Sequence, residues 1–181
     1  MLDHEFWLNG DEPGGHSNRY NSVMMIFQEF SEDTKEKFED FIGDNFGDAA
    51  MYGEITEEPA FTGVSFDIHK GSYQDAVTIS KAFPDAIVAV DCGWDDYYFD
   101  VIKDGADYSD YYASWDHDEE PEPYVDGGSE HYDCDVNIDI KLPWTEHKVR
   151  TYTGGGCLDK DEYEYFKVLV DNHRREPGIT R

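Results

Sequence analysis

The sequence predicts an α+β fold in which an antiparallel sheet carries helices on one face. Segments with the two-residue alternation of strands follow one another along the chain, with segments of helical periodicity between them. Several of these strands are close enough in sequence to pair as hairpins, and no internal repeat is present. With 181 residues, 39% of them hydrophobic and 15% aromatic, the chain can bury a core without disulfides.

The first half of the chain contains the most regular pattern. Residues 21–30 predict a buried strand, and Ser31 is the expected N-cap of a helix whose first turn is acidic and whose inner face includes Phe38. A glycine-containing linker is expected around residues 43–53. The alternation of apolar and polar residues over 62–69 then predicts a half-buried strand.

A second helix is expected directly after this strand. Ser72 is its predicted N-cap and Pro84 its stop, because proline cannot continue a helix. The apolar runs at 86–90 and 97–102 predict two paired strands joined by a loop that contains Gly93.

The ends of the chain differ from its middle. Residues 1–18 predict an N-terminal arm, and residues 19–181 predict a single domain with an acidic, exposed insertion at about 104–128.

The C-terminal third predicts further regular structure. A strand is expected over 132–142, another around 148–152, and a hinge at Gly154–Gly156. A final amphipathic helix over about 159–173 completes the predicted fold.

Charge is the most informative property of the composition. The chain has 42 acidic residues and 14 Lys and Arg, which gives a formal net charge of −28 at pH 7. Such a chain repels nucleic acids and anionic membranes, so we expect it to bind neither directly. A basic protein partner, bound cations or a high-salt habitat remain as alternative explanations.

The cysteines and the hydropathy of the chain predict a cytoplasmic protein that binds no cofactor. Cys92, Cys134 and Cys157 lack the spacing of a disulfide scaffold or a zinc site. No apolar run is long enough to span a membrane, and the N-terminus lacks the pattern of a signal peptide. We therefore expect reduced thiols and a cytoplasmic location.

A resemblance to a known family covers roughly residues 60–105. This region contains FDIHKGSYQDAVTISKAFPDAIVAV, in which a strand with a phenylalanine leads into a short helix that ends in Phe83-Pro84-Asp85. It resembles a ferredoxin-like domain family of uncharacterised function found in phages and plasmids. The resemblance implies a ferredoxin-like fold and an origin in a mobile element, and it implies no catalytic residues.

The acidic residues concentrate between positions 95 and 139, where sixteen acids accompany a single lysine, Lys103. Within this window Asp133, Asp135, Asn137 and Asp139 alternate with apolar residues, which predicts a strand that presents the polar set outward. Successive outward side chains would lie roughly 6.6 Å apart, a spacing similar to that of phosphates along one nucleic-acid strand.

This geometry predicts a nucleic-acid mimic, in which carboxylates stand in for phosphates and aromatic residues anchor the complex. The chain resembles acidic DNA-mimic inhibitors in charge only. The predicted partner contacts are the acids Asp95, Asp96, Asp100, Asp107, Asp110, Asp116, Asp118, Glu119, Glu120, Asp133, Asp135 and Asp139, with Tyr108, Tyr111 and Tyr112 as anchors.

Metal binding and catalysis are less well supported by the sequence. Residues 116–120 and 131–135 collect oxygen, nitrogen and sulfur donors, but their spacing matches neither an EF-hand nor a zinc site. No GxSxG, HExxH or phosphate-binding loop occurs. We therefore expect no metal, no cofactor and no enzymatic activity.

Two hypotheses follow from the sequence. The first is a phage or mobile-element inhibitor that blocks the basic nucleic-acid-binding surface of a host defence complex, such as a CRISPR effector or a restriction enzyme. The alternative is an acidic, cation-stabilised or halophilic protein with no partner of that kind.

Overall fold

The computed structural model describes residues 20–69, 71, 73–93 and 97–174 of the chain. These residues form two compact units. The N-terminal unit contains the described residues up to 93 together with 99–108, and the C-terminal unit contains 97–98 together with 109–174. The predicted arm, residues 1–18, lies outside the described residues. Helices and antiparallel strands are both present, so the α+β prediction is confirmed.

The described elements are three α-helices and ten strands. The helices are α1 (Glu32–Phe46), α2 (Tyr73–Ala82) and α3 (Lys160–Asn172). The strands are β1 (Tyr20–Phe27), β2 (Ala50–Glu57), β3 (Thr62–His69), β4 (Ile87–Gly93), β5 (Tyr97–Lys103), β6 (Ala106–Asp107), β7 (Tyr111–Trp115), β8 (Tyr124–Asp126), β9 (Ser129–Lys141) and β10 (Lys148–Asp159). Short 3-10 helices cover Gly47–Ala49 and Asp116–Asp118.

The sheet of the N-terminal unit has the strand order β2-β3-β1-β4-β5-β6. Strand β1 pairs antiparallel with β3 and β4, and β3 pairs antiparallel with β2. Both helices pack on one face: Phe38 of α1 contacts Phe66 of β3 at 5.5 Å between ring centres. Phe83, which follows α2, contacts Phe27 of β1 at 6.0 Å.

Local signals set the limits of these helices as the sequence predicts. The Ser31 hydroxyl accepts a hydrogen bond from the Thr34 amide at 3.2 Å, so Ser31 is the N-cap of α1. Helix α2 ends at Ala82, two residues before Pro84. The predicted N-cap of α2, Ser72, lies outside the described residues.

Strand β2 corrects one prediction. Most of the expected linker at 43–53 is the end of α1 and the start of β2, which pairs with β3 along its length. The register shifts between Tyr52 and Glu54, and a Cβ on Gly53 would lie 2.3 Å from the carbonyl oxygen of Ser65. Glycine at this position therefore permits a bulge that keeps the strand paired.

The C-terminal unit is a four-stranded antiparallel sheet with one helix. Strand β9 pairs with β10 on one side and with β7 and β8 on the other. Helix α3 packs against β7, β9 and β10 and begins with a capping box formed by Asp159 and Glu162. Its Tyr163 ring stacks on Tyr132 of β9 at 3.9 Å.

The acidic stretch 104–128 is not a continuous exposed loop. This corrects the prediction of an exposed insertion over these residues. Strand β7 lies within it, and the side chains of Tyr111, Ala113 and Trp115 are buried. The sequence does not predict this strand, because its two-residue alternation covers only five residues and acidic residues flank it on both sides. The predicted hinge at Gly154–Gly156 lies within β10, where the register with β9 shifts between Gly154 and Cys157.

Candidate functional site

The C-terminal unit contains a cleft of about 820 Å³ with strongly acidic walls. We call it the acidic cleft. Its lining residues are Asp116, His117, Glu119, Glu120, Pro121, Glu122, Asp133, Cys134 and Asp135. The cleft therefore unites two segments of sequence, 116–122 and 133–135, that each contain residues predicted to contact a partner.

The pairing of β9 explains why a cleft forms here. Strand β7 stops pairing with β9 at Trp115 opposite Val136, and β8 resumes at Tyr124 opposite His131. Between these points, the chain leaves the sheet through a turn in which His117 and Asp118 have positive φ angles of 59° and 57°. Pro121 and Pro123 lie just before β8, and they lack the backbone N–H that further pairing with β9 would need.

Hydrogen bonds hold the walls of the cleft. Asp116 accepts a hydrogen bond from the Asn137 side-chain amide at 3.3 Å, and its other oxygen lies 3.4 Å from His117 Nε2. Glu120 accepts from Lys167 Nζ at 2.8 Å and from the Tyr163 hydroxyl at 2.5 Å. The bonds from Lys167 and Tyr163 keep the pKa of the Glu120 carboxyl below its usual range.

The residues of β9 that line the cleft differ in their exposure. Asp133 is exposed and accepts a hydrogen bond from the Tyr124 hydroxyl at 3.0 Å, whereas Asp135 is half-buried. Cys134 is half-buried, and burial, with the nearby carboxylates of Asp135 and Asp133, raises the pKa of its thiol to about 12. The thiol of Cys134 therefore stays protonated and unreactive at neutral pH.

The predicted outward row of carboxylates ends at Asp135, so the prediction for Asp139 is wrong. Asn137 is buried, and the Asp139 side chain is 10% exposed. Asp139 lies in the central strand opposite Tyr112 of β7 and Arg150 of β10, and the Arg150 guanidinium binds both of its carboxylate oxygens. The alternation within one strand does not show which side chains of the neighbouring strands contact its outward-facing residues.

Two predicted contacts on β5 and β6 lie in the N-terminal unit and have different exposures. Asp107 is exposed and accepts a hydrogen bond from the Tyr73 hydroxyl at 2.9 Å. Asp100 is 8% exposed, which contradicts its predicted role as a surface charge. Burial, reinforced by the carboxylate of Asp107, raises the pKa of Asp100 from 3.8 to about 8. Asp100 is therefore mostly neutral at pH 7.

The predicted aromatic anchors are also covered to different degrees. Tyr111 is buried and stacks on His173 with ring centres 3.9 Å apart, so its prediction as an exposed anchor is wrong. Tyr112 lies beneath the ammonium groups of Lys141 and Lys148, at 4.7 and 5.2 Å. Tyr108 is half-buried.

The remaining predicted contacts complete this account. Glu119 is an exposed lining residue of the cleft, and its neighbour Asp118 is exposed but does not line it. Asp110 is exposed but forms an ion pair with Lys141 at 3.1 Å. Asp95 and Asp96 lie outside the described residues. Sequence reasoning missed Glu122, which lines the cleft two residues after the predicted contact Glu120.

Comparison with protein-family models, with curated proteins and with solved structures finds no match to this chain. In the described part of the chain, no three His, Cys, Asp or Glu side chains are grouped so that they could hold a metal ion. Over the same residues, none of the helices combines the length and apolar character that crossing a bilayer requires.

Proposed function

We propose that this chain is a polyanionic binding protein that occupies a basic, nucleic-acid-binding surface of a partner protein and thereby inhibits it. The acidic cleft is the observation that carries this proposal. Six carboxylates from two chain segments line it: Asp116, Glu119, Glu120, Glu122, Asp133 and Asp135. A partner that supplies Lys or Arg side chains would neutralise them.

The electrostatic argument depends on fixed charge. Carboxylates held on a folded scaffold attract a basic surface over long distances and release the ions condensed on both partners. In the cleft, Glu120 is already paired with Lys167 at 2.8 Å, so the available charge is on the other acids. Binding is therefore expected to be fast and strongly weakened by salt.

The shape of the C-terminal unit supports two complementary contacts. The cleft is concave and suits a protruding basic side chain. Next to it, the hairpin of β8 and β9 has seven consecutive exposed residues, 124–130, which include Asp126 and Glu130. Val125 on this hairpin is 73% exposed, so the hairpin offers an apolar contact flanked by acids.

The phosphate-like charges of this proposal differ from those expected from the β9 alternation. Asp133 and Asp135 stay in the set, and residues of the 116–122 segment replace Asp139, which Arg150 neutralises. The mimic is therefore a clustered patch on the C-terminal unit and not a straight row along one strand.

Within this function, we propose that the partner is a host defence complex, such as a CRISPR effector or a restriction enzyme, and that the chain acts in the cytoplasm as a phage or mobile-element inhibitor. We also propose that the N-terminal unit is ferredoxin-like. The element order β-α-β-β-α-β with strand order β2-β3-β1-β4 supports the fold proposal. Inhibition by occupancy requires no catalysis.

Capture from a bacterial lysate that contains CRISPR and restriction systems tests this function. The tagged chain is eluted with a salt gradient, and each recovered complex is then challenged with its own DNA or RNA. The proposal predicts a nucleic-acid-binding complex that both salt and its nucleic acid displace. An empty capture at low salt, with stabilisation of the chain by molar salt or calcium, would instead favour an acidic, cation-stabilised protein.

A further inference from the structure

A cysteine and a histidine meet on the hairpin side of the C-terminal unit. Cys157 Sγ of β10 lies 3.1 Å from Nδ1 of His131 on β9. The pair is a diagonal contact between adjacent strands, because Cys157 faces Asp133 and His131 faces Asp159 in the β9–β10 register. Cys157 is exposed, which leaves its sulfur accessible to reagents in solution.

The protonation of His131 follows from its second nitrogen. His131 Nε2 lies 3.2 Å from the backbone carbonyl oxygen of Asp126. A carbonyl oxygen can only accept, so Nε2 carries the hydrogen and donates it. Nδ1 of the neutral ring is therefore free of hydrogen and accepts the proton of the Cys157 thiol. Nucleophile, base and orienting group are arranged as in activated thiol sites.

The local backbone fixes both members of the pair. His131 lies three residues after the turn Gly127-Gly128, whose φ angles of +62° and +84° fit the two-residue hairpin loop between β8 and β9. On the other side, two residues of β10, Gly155 and Gly156, lie opposite Cys134 alone, and Cys157 directly follows this bulge. Bulges commonly re-aim side chains near functional positions.

Tyr124 supplies a third group. Its hydroxyl lies 3.4 Å from Cys157 Sγ and 3.0 Å from Asp133 Oδ1. Both contacts raise the pKa of Tyr124, with the contact to Cys157 as the larger cause. The hydroxyl therefore keeps its single proton at neutral pH, and a developing thiolate on Cys157 would compete with the Asp133 carboxylate for it.

We propose that Cys157 and His131 form a base-assisted thiol site that accepts an acyl group from an ester or thioester donor. The thiol proton moves to His131 Nδ1 as Sγ forms a bond to the acyl carbon. The bond from that carbon to the alkoxide or thiolate leaving group then breaks, and the leaving group takes the proton from His131. The product is a thioester on Cys157, and this activity does not depend on the proposed inhibition.

The surroundings select the charge of the donor. Asp126 and Asp133 flank the pair, and Asp159 lies opposite His131 in the strand register. These carboxylates repel anionic donors, so the acyl donors that fit are uncharged or cationic.

Acetylation by p-nitrophenyl acetate tests the site. Peptide mass spectrometry follows acetylation at Cys157 in the full chain, both folded and unfolded in guanidinium at the same pH. Because general-base assistance typically contributes at least about a hundredfold, even a partly effective base should make Cys157 react about tenfold faster in the folded chain. An equal or slower rate in the folded chain would overturn the proposal.

A histidine variant identifies the base. His131→Gln is expected to lower the rate at Cys157 about tenfold. The matched variant His147→Gln, at an exposed histidine of the C-terminal unit, should leave the rate unchanged. Unchanged reactivity in a folded His131→Gln variant would show an ordinary exposed thiol and sink the assignment. Should this variant not fold, the comparison of folded and unfolded wild-type chain still decides.

Discussion

Arg150 and Asp139 face each other across β10 and β9 and form a two-point ion pair, with Nε to Oδ1 at 2.8 Å and the second guanidinium nitrogen to Oδ2 at 3.0 Å. The carboxylate is 10% exposed and the guanidinium side chain 49% exposed. A charge that the sequence assigns to a partner surface is thus part of the sheet's internal structure.

Removing the cation of this pair should destabilise the C-terminal unit. Arg150→Met leaves a buried carboxylate without its arginine, and we expect a loss of about 2 kcal/mol in the free energy of unfolding, measured with urea. The double variant Arg150→Met/Asp139→Leu should recover most of it. Lys167→Met is the control at an exposed pair and should cost less than about 1 kcal/mol. Equal losses at both pairs would contradict the account.

Asp100 should make stability depend on pH. Its pKa is 3.8 in the unfolded chain and about 8 in the fold, so the folded state binds more protons between these values. The contribution of Asp100 to the free energy of unfolding is therefore fully present below about pH 4, and it is lost as pH rises to about 8. Asp100→Asn should be more stable than wild type at pH 8, by on the order of 3 kcal/mol, and similar at pH 4.

The control for this pH dependence is Asp104→Asn. Asp104 is exposed in the turn between β5 and β6, and asparagine tolerates its positive φ of 49°. Urea unfolding of this variant should follow the wild-type pH profile. A wild-type profile in Asp100→Asn would mean that the buried carboxyl does not titrate as described.

Alanine substitution at two glycines should change the stability of the protein in opposite directions. Gly128 has a φ of +84° in the hairpin turn, so Gly128→Ala should cost about 1 kcal/mol. Gly43 lies inside α1, where a Cβ meets no atom within 4 Å, so Gly43→Ala should add about 0.5–1 kcal/mol. Thermal unfolding measures both, and a shift of the same sign in the two variants would contradict these backbone assignments.

Much of the fold could be predicted because its signals are local. Ser31, Pro84 and the apolar alternation of β3 act within a few residues, and the structure has them as the sequence indicates. Strand β2 was missed since its pairing with β3 depends on a long-range contact at Gly53. Propensity within the segment does not encode that contact.

The candidate site shows the same division. A run of acids predicts a charged surface, and the cleft does unite 116–122 with Asp133 and Asp135. Whether each acid faces solvent depends on neighbouring strands and on the hydrogen bonds they offer, which explains why the orientation of Asp100 and Asp139 was predicted wrongly. The contact between Cys157 and His131 joins residues of two strands, and no spacing in the sequence announces it.

The most direct test of the proposed function is the dissociation constant for the captured nucleic-acid-binding complex after charge reversal in the acidic cleft. The triple variant Glu119→Lys/Glu122→Lys/Asp133→Lys changes three lining acids by two charges each, from a formal −28 to −22. The control Glu36→Lys/Glu39→Lys/Asp40→Lys makes the same change at exposed positions of α1. We expect the cleft variant to bind about a hundredfold more weakly and the control to change by less than about threefold. Equal effects, or no effect of the cleft variant, would contradict the assignment of this surface.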